Sequence, residues 1–198
     1  MTSTDPPVVS FADQAAWRTW LAAHHADAPE GVWLKIARKS KGAAVESVDY
    51  PEALEVALCF GWIDGQKKGF DETHWLQRFT PRRSRSIWSK VNRAKAEALV
   101  EAGEMQPGGL AEIERAKADG RWDAAYDSPR TSTVPDDLAA ALAANAVARD
   151  FFATLDSTNR YAILHRLQTA KKPETRARRL AQFVEMLTEH RTIYPMPR

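Results

Sequence analysis

The sequence predicts an α+β fold, in which a small antiparallel sheet with packed helices is followed by an all-helical C-terminal domain. Short runs with strand-like alternation between residues 32 and 80 predict the sheet, and apolar residues at helical spacing lie on both sides of them. Beyond residue 135 only helical spacing occurs. We therefore expect an α+β domain over residues 1–126, a linker rich in proline and hydroxyl residues over 127–135, and a helical domain over 136–198.

Composition limits the classes of protein to consider. The chain has 198 residues, is 44% hydrophobic and 27% charged, and carries a net charge of +2, so a buried core is expected and anion binding must come from local patches. The single cysteine excludes an internal disulfide and suits a reducing compartment. The sequence shows no signal peptide and no transmembrane segment, so we expect a soluble, cytoplasmic protein.

The first predicted elements are a loose N-terminus and a helix. Residues 1–9 are polar with two prolines, and we expect no regular structure there. Ser10 resembles an N-cap with Asp13 as an acid in the first turn, and the helix then runs to about His24. Its larger apolar side chains share one face: Trp17, Trp20 and Leu21.

A strand, a loop and a buried helix follow. Val32–Arg38 alternates as a strand does, and Lys39–Ser47 is a polar loop. Pro51 suits the first position of a helix that runs to Trp62 and is apolar almost all round, which is typical of a buried helix. One side of the strand carries its branched apolar residues: Val32, Leu34 and Ile36.

Next we predict a hairpin and two helices. Strands over Ile63–Lys68 and His74–Thr80 would pair across the turn at Gly69. In the second strand the alternation places one set of side chains on one side and the other set on the opposite side: Trp75, Gln77 and Phe79, and His74, Leu76 and Arg78. Ser84 or Ser86 would cap the next helix. The two helices are placed at Ile87–Ala102, with Ile87, Val91, Ala94 and Ala98 inward, and at Leu110–Ala118 after a turn over Met105–Gly109.

The C-terminal domain is predicted to contain helices alone. Apolar residues at helical spacing place them at Asp136–Ala144, Ala146–Leu155, Thr158–Ala170 and Glu174–His190.

The most distinctive stretch of the sequence is Cys59–Asn92, which we call the basic-aromatic stretch. It contains three of the seven tryptophans, and no carboxylate occurs between Thr73 and Ala96 although seven cations do. Arginine presents a planar fork of donors that suits carboxylates and phosphates. The residues that we expect to form a ligand-binding site in and beside this stretch are Trp62, Asp64, Lys67, Arg82, Arg83, Ser86, Trp88, Asn92 and Trp122.

Each of these residues also has a structural interpretation. The arginines would then be a solvated turn, and Trp88 would belong to the core. Asp64 would orient Arg82 or Arg83 or act as a general base, and its structural interpretation is an ion pair or a turn cap. Trp122 would fill the junction of the two halves or line a cleft there. Cys59 is expected to be a buried, inert thiol, and no motif for a metal or a cofactor is present, so we predict neither.

The tail carries a second basic run. Between Asp156 and Glu185 the only acid is Glu174, whereas seven cations occur there: Arg160, Arg166, Lys171, Lys172, Arg176, Arg178 and Arg179. Such a run either forms a solvated helix surface or docks nucleic acid or an acidic protein.

Several strings of the sequence resemble a known family. LCFGWIDGQKK at 58–68, FTPRRSRSIWSKVN at 79–92 and GRW at 120–122, followed by a helical tail, resemble the YdeI/OmpD-associated, or bacteriocin-protection, family. The tail from about Val134 to Tyr194 looks like that family's C-terminal domain. The resemblance implies stress tolerance and resistance to cationic antimicrobial peptides, and it implies no particular reaction.

From the residues we favour a binding protein without enzymatic activity. Its basic-aromatic site would hold a small anionic or aromatic molecule. Two alternatives stay open at this point. One is a nucleic-acid-binding protein that uses both basic runs, and the other is an enzyme with Asp64 and the arginines in its site.

Overall fold

The structure is a computed structural model that describes residues 5–38 and 46–196. Most of the predicted loop over Lys39–Ser47 and the first four residues of the predicted loose terminus lie outside the described residues. Contacts divide the chain into two compact units. The first contains the described residues up to Trp88 together with Asn92–Ala125, and the second contains Ser89–Val91 and the residues from Tyr126 onward.

The first unit contains a four-stranded sheet in the order β1-β2-β4-β3. Its strands are β1 (Val8–Val9), β2 (Val32–Ala37), β3 (Trp62–Gly69) and β4 (His74–Pro81). The pairs β2–β4 and β3–β4 are antiparallel, and β3–β4 is the predicted hairpin, with a register shift between Asp64 and Lys67. The predicted α+β class, with a helical region after it, is confirmed.

The short strand β1 corrects the expectation of a loose N-terminus. Val8 and Val9 pair in parallel with β2, and the backbone N–H of Trp33 donates to the carbonyl of Pro7 at 2.9 Å. Two residues are too few to show an alternating pattern. The strand forms because β2 offers backbone donors and acceptors along the edge that β4 leaves unpaired.

The first two helices begin at acidic N-caps. In α1 (Gln14–His24) the carboxylate of Asp13 accepts from the N–H of Ala16 at 2.8 Å, so Asp13 rather than Ser10 is the cap. In α2 (Tyr50–Cys59) Asp49 forms a reciprocal capping box with Glu52. A carboxylate next to free N–H groups satisfies these donors and also interacts favourably with the positive end of the helix.

Helix α2 ends at Cys59, and the prediction that it continues to Trp62 is wrong. Gly61 adopts a φ of +75°, and a Cβ at this position would lie 2.7 Å from the carbonyl oxygen of Gly108. Only glycine combines that backbone conformation with so close a neighbour. The chain therefore turns at Gly61, and Trp62 becomes the first residue of β3.

Helix α3 (Lys90–Glu101) begins three residues later than predicted and buries a different face. Ser86 is not its cap, because its hydroxyl instead accepts from the N–H of Arg83 in a turn, and Ser84 lies in the same turn. Val91 is 47% exposed, whereas Ala96 is fully buried. The four residues predicted to face inward are all exposed: Ile87, Val91, Ala94 and Ala98. Alanines occur around this helix, so the apolar pattern fits more than one face.

Helix α4 (Pro107–Ala118) begins earlier than predicted, inside the stretch assigned to a turn. Pro107 occupies the first turn, where its missing N–H costs nothing. A Cβ on Gly109 would lie 2.8 Å from the carbonyl oxygen of Leu58. The glycines that suggested a turn are therefore the residues that let α4 approach the end of α2.

The core of the first unit lies on one face of the sheet, against the helices. Val32 and Leu34, which the alternation of β2 placed on one side, and Phe79 of β4 are fully buried in this core. Trp33 and Leu76 point to the opposite, outer face, where they are buried outside the main core cluster.

The second unit contains a helical region with its own core. The helices are α5 (Asp136–Ala144), α6 (Ala146–Thr154), α7 (Ser157–Gln168) and α8 (Pro173–Thr188). Each of them begins and ends within two residues of its predicted first and last residues. Their inward residues include Leu138, Phe152, Ile163, Leu167, Phe183 and Leu187. Across the described residues, no helix is both long enough and apolar enough to cross a membrane.

Candidate functional site

The structure places Arg82 and Trp88 of the basic-aromatic stretch in the interior of the first unit. Arg82 is only 5% exposed, and its guanidinium carbon lies 3.4 Å from the centroid of the Trp88 ring. Its Nη1 also donates to the carbonyl of Ile87 at 3.3 Å. Because the ring and the carbonyl compensate for a desolvated charge, this pair stabilises the turn between β4 and α3.

A second buried arginine supports the same turn from the other side. Arg121 donates from Nη1 to the carbonyl of Ser86 at 2.7 Å and from Nε to Asp119 at 2.7 Å. The next residue, Trp122, packs edge-to-face on Trp88 with ring centroids 4.8 Å apart. Trp88 and Trp122 are thus brought together as packed interior groups, with the half-buried Ser86 in the turn beside them.

Trp62, Asp64 and Asn92 are also held by structural contacts. Trp62 is buried and donates its indole N–H to the carbonyl of His25 at 3.2 Å. Asp64 is half-buried on β3 and accepts from the Tyr50 hydroxyl at 2.8 Å. Asn92 is half-buried on α3 and makes contacts of its own.

Arg83 differs from the preceding arginine because its side chain is exposed. It lies near Arg78 of β4, and the two like charges repel. Burial first, and Arg83 as a further like charge, lower the pKa of the Arg78 guanidinium. Arg78 in turn donates to the backbone carbonyl of Glu30. Arg83 therefore belongs to a cationic surface beside β4 and not to the interior cluster.

Lys67 lies near the turn of the β3–β4 hairpin, where a cavity of about 380 Å³ opens. The described residues that line this cavity are Arg38, Lys67, Lys68, Gly69 and Trp75. Three of the five are cations, one is a tryptophan and none is a carboxylate. We call this site the hairpin cavity. Cations without adjacent acids, beside an aromatic face, can hold an anion and a ring together.

The outer face of the sheet next to this cavity also carries contacts between cations and aromatic rings. The Lys68 ammonium lies 4.2 Å from the centroid of Trp33, and the Arg78 guanidinium lies 5.6 Å from it on the neighbouring strand. The Lys35 ammonium lies 4.9 Å from the ring of Phe70, which is 50% exposed. Cations and rings therefore alternate over this face.

Arg38 and Trp75 were not predicted as neighbours of Lys67. Trp75 belonged to the basic-aromatic stretch, but its alternation only placed it on the same side of the strand as Gln77 and Phe79. Arg38 lies 29 positions before Lys67, and it meets the hairpin because β2 pairs with β4. The sequence could have placed Arg38 near Lys67 only if the predicted strand that ends at Arg38 had been paired with the predicted hairpin.

Cys59 is fully buried, as predicted. Burial raises the pKa of its thiol, and the Arg18 guanidinium, 3.9 Å from Sγ, acts in the opposite direction. Within the described ranges, no group of three or more His, Cys, Asp and Glu side chains is arranged to hold a metal ion.

Fold and site together define a two-unit protein, in which an α+β domain with cation–ring surfaces is followed by a helical domain. Residues 9–112 match a family model described as a domain of unknown function (DUF8412), and the chain belongs to that family. Residues 131–190 match the family described as bacteriocin-protection, YdeI or OmpD-associated, which confirms the resemblance. Comparisons with curated proteins and with solved structures gave no match.

The two family matches cover different parts of the sequence that carries the resemblance. The strings at 58–68 and 79–92 lie inside the DUF8412 match, whereas the helical tail lies inside the bacteriocin-protection match. The hairpin cavity therefore belongs to the segment that defines the first family.

Proposed function

We propose that the protein is a binding protein whose hairpin cavity holds a small anionic molecule, preferably one with an aromatic ring. The observation that carries this proposal is the set of three cations and one tryptophan around the cavity, with no carboxylate among its described lining residues. The match of residues 131–190 to bacteriocin-protection proteins supports a role in stress tolerance. We also propose the cytoplasm as its location, because the single cysteine suits a reducing compartment.

Geometry favours the hairpin cavity over the interior arginine cluster. Arg82 and Arg121 are almost fully buried, so a ligand would reach them only after the turn opened. Arg38 and Lys67 have exposed side chains, and no salt bridge or hydrogen bond to a described carboxylate competes for them. An anion bound between them would gain charge-assisted hydrogen bonds from both.

The test uses phenyl phosphate and inorganic phosphate as probes in titration calorimetry. For the double variant Arg38→Gln/Lys67→Gln we expect phenyl phosphate affinity to fall at least about tenfold, because two charge-assisted contacts are lost. The matched control Arg83→Gln/Arg85→Gln also removes two exposed cations of this unit, and we expect a change of less than about twofold.

The aromatic part of the proposal has its own measurement. Trp75→Leu should weaken phenyl phosphate binding while leaving the weaker binding of inorganic phosphate unchanged, because only the first probe has a ring to stack. Wild-type protein that binds neither probe, or a control pair that loses as much affinity as the cavity pair, would refute the proposal.

A second candidate function is binding of single-stranded nucleic acid across the outer face of the sheet. The specific observation is Trp33 between the Lys68 and Arg78 cations, with the exposed Phe70 ring beside Lys35. Rings that stack bases and cations that neutralise phosphates are the usual components of such a surface.

Salt dependence distinguishes this second candidate from the first. A single-stranded oligothymidylate should bind with an affinity that falls steeply as salt rises, and Lys35→Gln/Phe70→Ala should weaken it and flatten the slope. The double variant at Arg38 and Lys67 should have the smaller effect. An oligonucleotide that fails to bind at low salt would eliminate this candidate.

A further inference from the structure

We propose that the second unit carries a separate binding site for a small organic anion with an aromatic or apolar body. The site is a cavity of about 460 Å³ on one side of α7, a volume typical of small-molecule sites. It lies entirely within the second unit and is lined by Pro129, Ser157, Thr158, Tyr161, Ala162, His165, Arg166 and Tyr194. The inference does not rest on the function proposed for the hairpin cavity.

The floor of the cavity is a single stripe of α7. Six of the lining residues recur at spacings of one and four along this helix, which places them on one face. The opposite face of α7 carries Ile163 and Leu167, which are fully buried in the helical core. The stripe is therefore held in place by packing that does not involve the cavity.

One wall is the C-terminal segment, and a buried asparagine fixes it. Asn159 is only 1% exposed, and its Oδ1 accepts from the backbone N–H of Ile193 at 3.0 Å and of Tyr194 at 2.9 Å. Its Nδ2 donates to the carbonyl of Tyr194 at 3.1 Å. A buried amide that satisfies three backbone groups orders the segment, so the Tyr194 ring is positioned beside the cavity.

The other wall is the segment that carries Pro129. The Tyr161 hydroxyl donates to the carbonyl of Asp127 at 2.8 Å. Asp127 and Gln168 exchange two further hydrogen bonds, from the Asp127 N–H at 3.0 Å and from Gln168 Nε2 at 2.7 Å. With both of its flanking segments tied to α7, the cavity has the preformed walls that reduce the entropic cost of binding.

The lining offers donors for an anion and no described carboxylate to repel it. Ser157 and Thr158 contribute hydroxyls, and the Arg166 guanidinium lies 5.9 Å from the centroid of the Tyr194 ring. Arg166 lies about two turns along α7 from the two hydroxyls, and its guanidinium is the donor that suits a carboxylate or a phosphate. The rings of Tyr161 and Tyr194 with Pro129 and Ala162 form an apolar surface for the rest of the ligand.

His165 contributes a neutral ring to this site. It packs edge-to-face on Tyr126, with ring centroids 4.7 Å apart, and contacts Tyr161. Burial first, and then the charges of Arg166 and Arg179, lower the pKa of the imidazole. At neutral pH the positive charge in the cavity therefore comes from Arg166, which makes this residue the one to test.

The experiment is a titration of the full chain with 4-fluorobenzoate, observed by the ¹⁹F linewidth of the probe. We expect broadening with wild-type protein at millimolar concentrations, as for a small ligand with a few good contacts. Arg166→Gln should weaken binding at least about fivefold. Arg178→Gln, which removes an exposed arginine from α8, should leave the binding unchanged.

Two more variants make the outcome decisive. Tyr194→Leu removes the ring but keeps the backbone groups that Asn159 holds, so it should weaken binding without unfolding the segment. Arg38→Gln/Lys67→Gln should retain full binding, because the hairpin cavity is a different site. The proposal would be overturned if wild-type protein gave no broadening, or if broadening survived both Arg166→Gln and Tyr194→Leu. It would also be overturned if broadening were lost only in Arg38→Gln/Lys67→Gln.

Discussion

The adjacent arginines Arg82 and Arg83 provide a sharp test of the interior cluster. Replacing Arg82 with alanine removes a desolvated cation–ring contact, worth about 2 kcal/mol, and a long hydrogen bond to a carbonyl, worth about 1 kcal/mol. We therefore expect a loss of about 3 kcal/mol in the free energy of unfolding of the first unit. Replacing the exposed Arg83 should cost less than about 0.5 kcal/mol.

Tryptophan fluorescence during urea unfolding is the appropriate assay. All seven tryptophans occur at or before Trp122, within the first unit, so the signal reports this unit alone. In a thermal melt followed by the same fluorescence, a loss of about 3 kcal/mol should lower the Tm of this unit by about 10 °C. If the two variants lose the same stability, or if Arg82→Ala loses less than about 1 kcal/mol, the interpretation of Arg82 as an interior structural residue is wrong.

Three other predictions concern local structure. Asp49→Ala should destabilise the first unit by about 1 kcal/mol in urea unfolding, because α2 loses both halves of its capping box. Gly109→Ala should lower its Tm markedly, since the new methyl group would press on the carbonyl of Leu58, and an unchanged Tm would show that α4 can move away. Two opposing effects set the pKa of the Asp71 carboxyl. Burial raises this pKa, but hydrogen bonds from Thr73 and His74 outweigh burial and lower it from 3.8 to about 2. This stabilisation is complete above pH 3.8 and is lost as the pH falls through about 2, so wild-type stability should decrease more steeply in that range than that of Asp71→Asn.

The elements of the fold were largely predictable from local patterns. Alternation identified β2 and β4, and helical spacing identified α5–α8 within two residues of each end. Prediction was less successful where the pattern was short or uniform. Two residues cannot show the period of a strand, so β1 was missed, and the alanines of α3 allowed the wrong face to be chosen.

The candidate site was less predictable than the fold, because its residues had to be brought together by strand pairing. The basic-aromatic stretch contains Lys67, Lys68, Gly69 and Trp75, which line the hairpin cavity. Arg38, which also lines the cavity, directly follows β2, and only the pairing of β2 with β4 brings it near. Trp62 and Arg82 had the residue types of a binding site but are buried.

By itself, the sequence determined the α+β class, the hairpin, the helical tail and the family of residues 131–190, because these depend on residue type and on spacing along the chain. Only the tertiary structure decided which of two neighbouring arginines is buried on a tryptophan and which is exposed. Burial depends on what the rest of the chain places against a side chain. Arg82 meets Trp88 six positions later, whereas Arg83 meets solvent, and their residue type is the same.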